Sequence, residues 1–325
     1  MTVPLTRDSP SSPSWEEAPA GARLSPDLAA ALADLDAGEQ DLLAWLVQRV
    51  KRGPDGERAP ISDVWLVHQF LKADFERDDM TVLQNINAYT APPVLKEYPD
   101  RERIALPTDL LPLPFPLEEV LAKRATRRDF SKGPLSLREL ATLLHRSYGI
   151  RSRSLAYNVR GFPSRFVPST GGLQSVEVYL AVNAVEGLEK GIYHYNPGGH
   201  ALEVLDRGNV RRKVVRSCLF QDWIDAASVV LFLTCDMRKV YWKYGRRGYR
   251  FVHVDAGIVS QTLHLAASAL RLRSCIVAGY HDEAIHDLLQ VDGRDEFVAL
   301  LLAVGRKPWE PGPVHDLPAE PDSPE

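Results

Sequence analysis

Cysteine is scarce in this 325-residue sequence: Cys218, Cys235 and Cys275 are its whole complement. Three widely spaced thiols make neither a disulfide framework nor a zinc-ligand pattern. The sparse usage points to a reducing compartment, and the cytoplasm is the expectation. No apolar run reaches the roughly 18–20 residues that a bilayer span needs. The nearest, Phe251 to Leu270, is interrupted by His253, Asp255, Gln261 and His264. Met1 to Ser14 carries Pro, Ser and charge but lacks the apolar stretch of a secretory signal, so no membrane partner is expected. A strong basic excess is also missing. The formal net charge is −4, and the five acidic residues after Pro308 face no Lys or Arg there, which leaves the remainder near neutrality. That balance argues against a nucleic-acid partner. No Gly-x-Gly-x-x-Gly follows a strand pattern, so a built-in dinucleotide site is not expected. Ser169 lacks the strand–elbow–helix setting of a hydrolase nucleophile. His281 and His286 have no third ligand at a metal spacing and read as surface or capping residues, so no metal is expected.

What is present is an ordinary globular composition, 45 % hydrophobic, with clear segment boundaries. Residues 1–22 are rich in Pro, Ser, Ala and Glu and read as disordered. Helical spacing then runs through 23–90: Leu28, Leu32 and Leu35, then Leu42, Leu43, Leu46 and Val47. The proline-dense stretch from Ala91 to Pro116 reads as an extended connector. Leu117 to Lys123 suggests a short helix. Ser136-Leu137-Arg138-Glu139 is a capping-box signature for a helix to about Tyr148, ended by Gly149. Strand patterns follow at Val176–Val182, 192–195, 201–205, 228–234, 274–278 and 297–304, with Asn196-Pro197-Gly198-Gly199 as a hairpin turn. Asp282 to Leu289 reads as a helix. Strands and helices alternate, and the hairpin implies antiparallel pairing. The fold class is α+β: a mainly antiparallel sheet flanked by helices over 91–307, with a small helical N-terminal region and an acidic, Pro-rich tail at 308–325.

Three segments carry chemistry. Lys243-Tyr244-Gly245-Arg246-Arg247-Gly248-Tyr249-Arg250 opens a helix-like run and packs two proton-handling groups beside three arginines. Charge that dense needs an anionic partner or solvent. Pro168-Ser169-Thr170-Gly171-Gly172-Leu173-Gln174 precedes a strand, and its two glycines let a planar ligand approach the backbone. Arg124-Ala125-Thr126-Arg127-Arg128 puts two guanidiniums and a hydroxyl at alternate positions, which suits a phosphate on one side of an extended segment. Each segment by itself also reads as a solvated turn or helix start.

In this order the three segments resemble the flavin-dependent nitroreductase superfamily, and within it the SagB-type branch that includes azoline oxidases. The resemblance covers roughly residues 90–306. It rests on Arg124 to Phe130, Pro168 to Leu173, Lys243 to Arg250 and Asp255-Ala256-Gly257. It implies an FMN cofactor at the interface of an intertwined homodimer. Arg124, Thr126 and Arg128 would hold the FMN phosphate, with Arg306 as a further contact. Ser169, Thr170 and Gly171 would lie against the ring, Gly279 would sit near it, and Gln174 would face its pyrimidine edge. Lys243 and Tyr244 would be the catalytic pair, with burial or the neighbouring arginines lowering the lysine pKa. Ala125 stands where the branch has arginine, and Gln174-Ser175 where it has Tyr-Pro. The implied activity is dehydrogenation of a heterocycle or related bond in a small-molecule or peptide-derived natural-product intermediate, with a biosynthetic partner protein. NAD(P)H-driven reduction of nitro, quinone or ene substrates is the alternative. The helical N-terminal region leaves a third reading, a non-catalytic flavin-fold scaffold that binds a peptide or partner protein.

Overall fold

The computed structural model describes Leu71 and residues 92–308. The chain divides into two compact units, 1–73 and 74–325, and the architecture below is that of the second. The expected disorder of 1–22, the helices of 23–90 and the tail beyond Pro308 lie outside the described residues.

Seven strands form one sheet: β1 (Arg103–Ala105), β4 (Val176–Val182), β5 (Gly191–Asn196), β6 (Ala201–Arg207), β7 (Val229–Asp236), β8 (Arg273–Val277) and β9 (Glu296–Gly305). Their order is β1-β6-β5-β4-β7-β9-β8, and every pairing is antiparallel. The helices are α1 (Leu117–Lys123), α2 (Leu137–Tyr148), α3 (Arg211–Ser217), α4 (Met237–Tyr244), α5 (Gly248–Ala269) and α6 (Asp282–Leu289). The α+β expectation holds. The two central strands are buried throughout because the sheet is covered on both faces. Val176, Val178, Leu180 and Val182 share a core with α2 and α5, while Tyr179 and Ala181 join a second core with α3 and α6. Alternate side chains of one strand thus feed two cores.

The capping box at Ser136 forms as its spacing predicts, with Ser136 Oγ accepting from Glu139 N and Glu139 returning the bond to Ser136 N. Gly149 ends α2 for a different reason than a left-handed cap. Its φ is −65°, and a Cβ there would fall 2.5 Å from the His145 carbonyl. The proline-dense connector contributes one short edge strand, β1, beside β6. A separate hairpin, β2 (Ile150–Ala156) and β3 (Val159–Arg165), escapes the sequence reading because its arms carry Arg and Ser where alternation would need apolar residues. Its two-residue turn, Tyr157-Asn158, has φ of 50° and 60°, the left-handed pair that a tight hairpin requires.

Candidate active site

The basic run is a corner between two helices, not the start of one. α4 ends at Tyr244, Gly245 adopts φ 54° and ψ −149°, and a single 3-10 turn leads into α5. That backbone region is open essentially to glycine alone. Gly248 closes the corner: a Cβ there would sit 3.1 Å from the Val240 side chain. Lys243 and Tyr244 therefore stand at a helix C-terminus, where a cation is favoured by the exposed carbonyl ends.

The corner faces the loop before β4. A Cβ on Gly171, whose φ is 58°, would meet Tyr244 Oη at 2.6 Å, Lys243 Nζ at 3.2 Å and Tyr157 Oη at 3.2 Å. Two segments that lie some seventy residues apart in sequence thus meet at Gly171. Lys243 Nζ donates to Tyr157 Oη (2.7 Å), and Tyr157 Oη donates to the Gly171 carbonyl (2.5 Å). The ammonium lies 4.8 Å and 5.1 Å from the ring centres of Tyr157 and Tyr244. Partial burial pulls the Lys243 pKa down, but the hydrogen bonds to Tyr157 and Tyr244 outweigh it and hold the pKa above the ordinary lysine value. The expectation of a lowered lysine pKa is corrected here: the tyrosine oxygens around Nζ stabilise the charged form more than burial opposes it.

Asp255 on α5 pins the loop. It accepts from Thr170 N (2.9 Å), from Thr170 Oγ1 (2.9 Å) and from Ser175 Oγ (3.1 Å). The Thr170 hydroxyl is thereby directed at α5, while Ser169 Oγ accepts from Gln174 N at 3.1 Å. Burial raises the Asp255 pKa in spite of the Thr170 and Ser175 bonds. Beneath the loop, the buried Lys239 ammonium donates to the Gln174 carbonyl (3.4 Å), the Val94 carbonyl (3.3 Å) and Glu177 Oε1 (2.5 Å). Glu177 also meets His194, which in turn meets Glu203. Tyr157 and Lys239 carry no motif in the sequence. Asp255 does, but its carboxylate's target is visible only in three dimensions.

The phosphate candidates gather toward the other end of α5. Thr126 bridges Ser274 of β8 in parallel, and Arg127 N donates to the Ser274 carbonyl (3.0 Å). This fixes an extended 124–128 segment beside the sheet edge. His264, two and a half turns along α5 from Asp255, hydrogen-bonds Ser274 Oγ at 2.7 Å. Burial, and then the charge of Arg124, push the His264 pKa down to about 4. Arg128 lies 5.8 Å from the Trp223 ring. Neither Arg124 nor Arg128 has a carboxylate partner among the described residues. Arg306 does: its guanidinium grips both oxygens of Glu139, at 2.6 and 2.7 Å, and the Pro134 carbonyl at 2.9 Å. A phosphate at Arg306 would compete with the capping-box glutamate. Gly279 accepts a bond from Gln221 Nε2 at 3.0 Å, and a Cβ there would meet only ordinary contacts. Internal packing does not require glycine at that position. Asp255 and His264 are nine residues apart, so the loop end and the basic end of α5 are separated by about 13 Å along its axis.

The residues fit a flavin. The Gln174 side-chain oxygen is buried without a partner, which is costly unless a ligand donor meets it. Gly172, at φ 70°, has nothing within 4 Å of where a Cβ would stand, so a planar group could rest against its backbone. The guanidiniums of Arg124 and Arg128 are available to an anion.

Comparison with known proteins identifies the family. The Nitroreductase family model matches residues 121–306, more than half of the chain. A Methanocaldococcus jannaschii protein named "Putative nitroreductase MJ1384" is 35 % identical over 192 residues, covering 59 % of this chain and 91 % of that protein. The Microcin B17-processing protein McbC of Escherichia coli is 28 % identical over 169 residues, half of this chain and 59 % of its own length. The crystal structure of a "putative nitroreductase from anabaena variabilis" superposes with a TM-score of 0.55 at 30 % identity, over 64 % of this chain and 42 % of that one. No helix among the described residues is long and apolar enough to cross a membrane. The chain belongs to the nitroreductase family of oxidoreductases.

Proposed function

We propose that the protein is an FMN-dependent dehydrogenase that removes a hydride and a proton from a heterocycle of azoline type in a peptide-derived intermediate, with dioxygen as the final acceptor. The observation that carries this reading is the meeting of Lys243, Tyr244 and Tyr157 at Gly171, on the loop where Gln174 keeps an unpartnered oxygen. Arg124, Thr126 and Arg128 hold the FMN phosphate, the Ser169–Gly172 backbone and Gly279 flank its ring, and Gln174 meets its polar edge. Arg306 supports the phosphate set through the chain end that it ties to Glu139. FMN held there supplies the acceptor for the hydride.

This chain's residues supply the proton path and the field. Lys243 is an ammonium at neutral pH, because its pKa lies above the ordinary lysine value. It favours negative charge on whatever heteroatom or phenol oxygen the substrate proton leaves behind or passes through. Tyr244 Oη is the group nearest the Gly171 face and relays the substrate proton, passing its own hydroxyl proton to water as it takes the substrate's, while Tyr157 holds Lys243 in place. The similarity to McbC, a microcin B17-processing protein, supports a peptide-derived substrate. Solvent-facing Leu117, Leu121 and Val254 offer apolar surface for a homodimer. In this reading the region 23–90 is a recognition module for the peptide or partner.

The test is direct. The purified protein is expected to be yellow and to release FMN, not FAD, on denaturation. An azoline-containing peptide is expected to lose two mass units in air. A protein that cannot be loaded with FMN defeats the reading. A second reading, an NAD(P)H-dependent reductase of nitro, quinone or ene compounds, is favoured by Gln174 in place of the branch's tyrosine. Rapid anaerobic bleaching of the flavin by NADPH selects it. The scaffold reading requires partner binding without turnover; deletion of 1–90 then abolishes binding and leaves the flavin.

A further inference from the structure

Beside the Lys243–Tyr157 contact the structure holds a cavity of about 250 Å³ that none of the assigned roles uses. Its walls are Val159 and Phe162 from the β2–β3 hairpin, Leu173 from the Gly-rich loop and Trp242 from α4, with the 92–94 segment across from them. Tyr157 and Lys239 complete the lining. That volume lies below the ~300–1,000 Å³ of sites that enclose a whole drug-sized ligand. It exceeds the roughly 150 Å³ of an apolar cavity known to accept benzene. The space therefore fits one side chain and not a cofactor ring system.

The polar lining groups are already engaged within the protein. Lys239 has three N–H bonds to give, and three acceptors take them: the Val94 carbonyl, the Gln174 carbonyl and Glu177. The Tyr157 hydroxyl accepts from Lys243 and donates to Gly171. Neither residue has an N–H or O–H left to donate to an occupant. A charged or strongly polar occupant would lose its hydration and gain no bond from either. An apolar occupant gains contact with Val159, Phe162, Leu173 and Trp242. Tyr157 is shared between the cavity wall and the Lys243 bond, so an occupant is held next to the proton-transfer pair.

We infer that this cavity is a substrate subsite that binds an apolar, aromatic-sized side chain adjacent to the heterocycle being oxidised, with the β2–β3 hairpin as the specificity element. The inference rests on the dehydrogenase reading for the identity of the neighbouring ring, but not for the presence of the pocket.

Binding by the full-length, flavin-loaded protein tests it without turnover. Two ligand pairs are titrated by ligand-observed NMR. The first pair is the N-acetylated thiazole-4-carboxamide derived from phenylalanine and its glycine counterpart. The second, ring-free, pair is N-acetylphenylalaninamide and N-acetylglycinamide. The phenyl-bearing member of each pair is expected to bind about tenfold more tightly, from burial of one aromatic side chain. Val159→Trp, on a partly exposed hairpin position, fills the cavity and is expected to abolish the preference. Val159→Ala leaves the space open and is expected to retain it. Flavin absorbance and circular dichroism confirm that each variant is folded, and the alanine variant stands in should the tryptophan variant fail. A preference in the ring-free pair without any binding of the thiazoles defeats the dehydrogenase reading and keeps the subsite. Absence of preference in both pairs, or a preference that survives a folded Val159→Trp, overturns the subsite.

Discussion

The two ends of α5 are built differently. At the Asp255 end almost every polar group has a partner inside the protein: Asp255 with Thr170 and Ser175, Tyr157 with Gly171 and Lys243, Lys239 with Gln174. At the His264 end the backbone of 124–128 is fixed on Ser274, but the guanidiniums of Arg124 and Arg128 have no internal carboxylate among the described residues. The first arrangement fixes geometry before any ligand arrives, as a proton-transfer site needs. The second leaves cationic groups to be completed by an anion, as a phosphate anchor needs. Arg306 shows what happens when a carboxylate is at hand: Glu139 takes it.

If the loop end is the chemical end, Lys243→Ala or Tyr244→Phe is expected to cut turnover by about 10²–10⁴, the range for acid–base groups, with flavin content unchanged. Steady-state kinetics together with the ratio of flavin to protein absorbance decide this. Full activity in both variants would erase the contrast. At the basic end, replacing Arg124 and Arg128 together with alanine is expected to weaken FMN binding by roughly 10²-fold, given the strength of charge-assisted hydrogen bonds. Fluorescence titration of apoprotein with FMN measures it, and unchanged affinity would move the phosphate elsewhere.

Stability sharpens the same comparison. Asp255→Ala leaves the Thr170 amide and hydroxyl and the Ser175 hydroxyl without their acceptor, which is expected to cost about 3 kcal/mol. For a domain of this size that is a fall in Tm of roughly 6–12 °C by calorimetry. Asp255→Asn is expected to lose less. It keeps one acceptor, and burial already disfavours the charge at that site. The smallest effect belongs to His264. Its folded pKa of about 4 lies below the unfolded value of 6.5, so the unfolded chain binds more protons between those limits. Its contribution to stability is complete above about pH 6.5 and is lost as the pH falls toward 4. His264→Asn is expected to flatten the acid limb by roughly 1–2 kcal/mol at pH 5, seen in urea unfolding at a series of pH values. An unchanged slope would mean that His264 is not held neutral by its surroundings.

Much of the sheet was legible because its signals are local. Val176–Val182 and Val229–Asp236 carry continuous apolar character that only a doubly covered strand can use, and Ser136 with Glu139 writes a helix start in four residues. The β2–β3 hairpin was not legible. Its arms are Arg- and Ser-rich, its faces are largely exposed, and its turn uses Tyr157 where a glycine would advertise it. The helix α4 was missed for a related reason: Gly245 and the arginines after it look like the opening of one helix, and the break at φ 54° leaves no signature beyond a single glycine.

The amino-acid sequence by itself determined the fold class, the antiparallel sheet, and the three segments in which the reactive and basic residues lie, since composition, alternation and capping act over neighbouring residues. It also named Lys243, Tyr244, Gly171 and Arg124 as residues to watch. Only the tertiary structure decided that the Lys243 corner closes on Gly171 and that Tyr157 joins them. It likewise decided that Asp255 holds the loop, that Lys243 keeps its proton, and that Arg306 is bound by Glu139. Those outcomes depend on distances between segments tens to more than a hundred and fifty residues apart, and on burial, which sets whether a charge is stabilised by its neighbours or opposed by the loss of water.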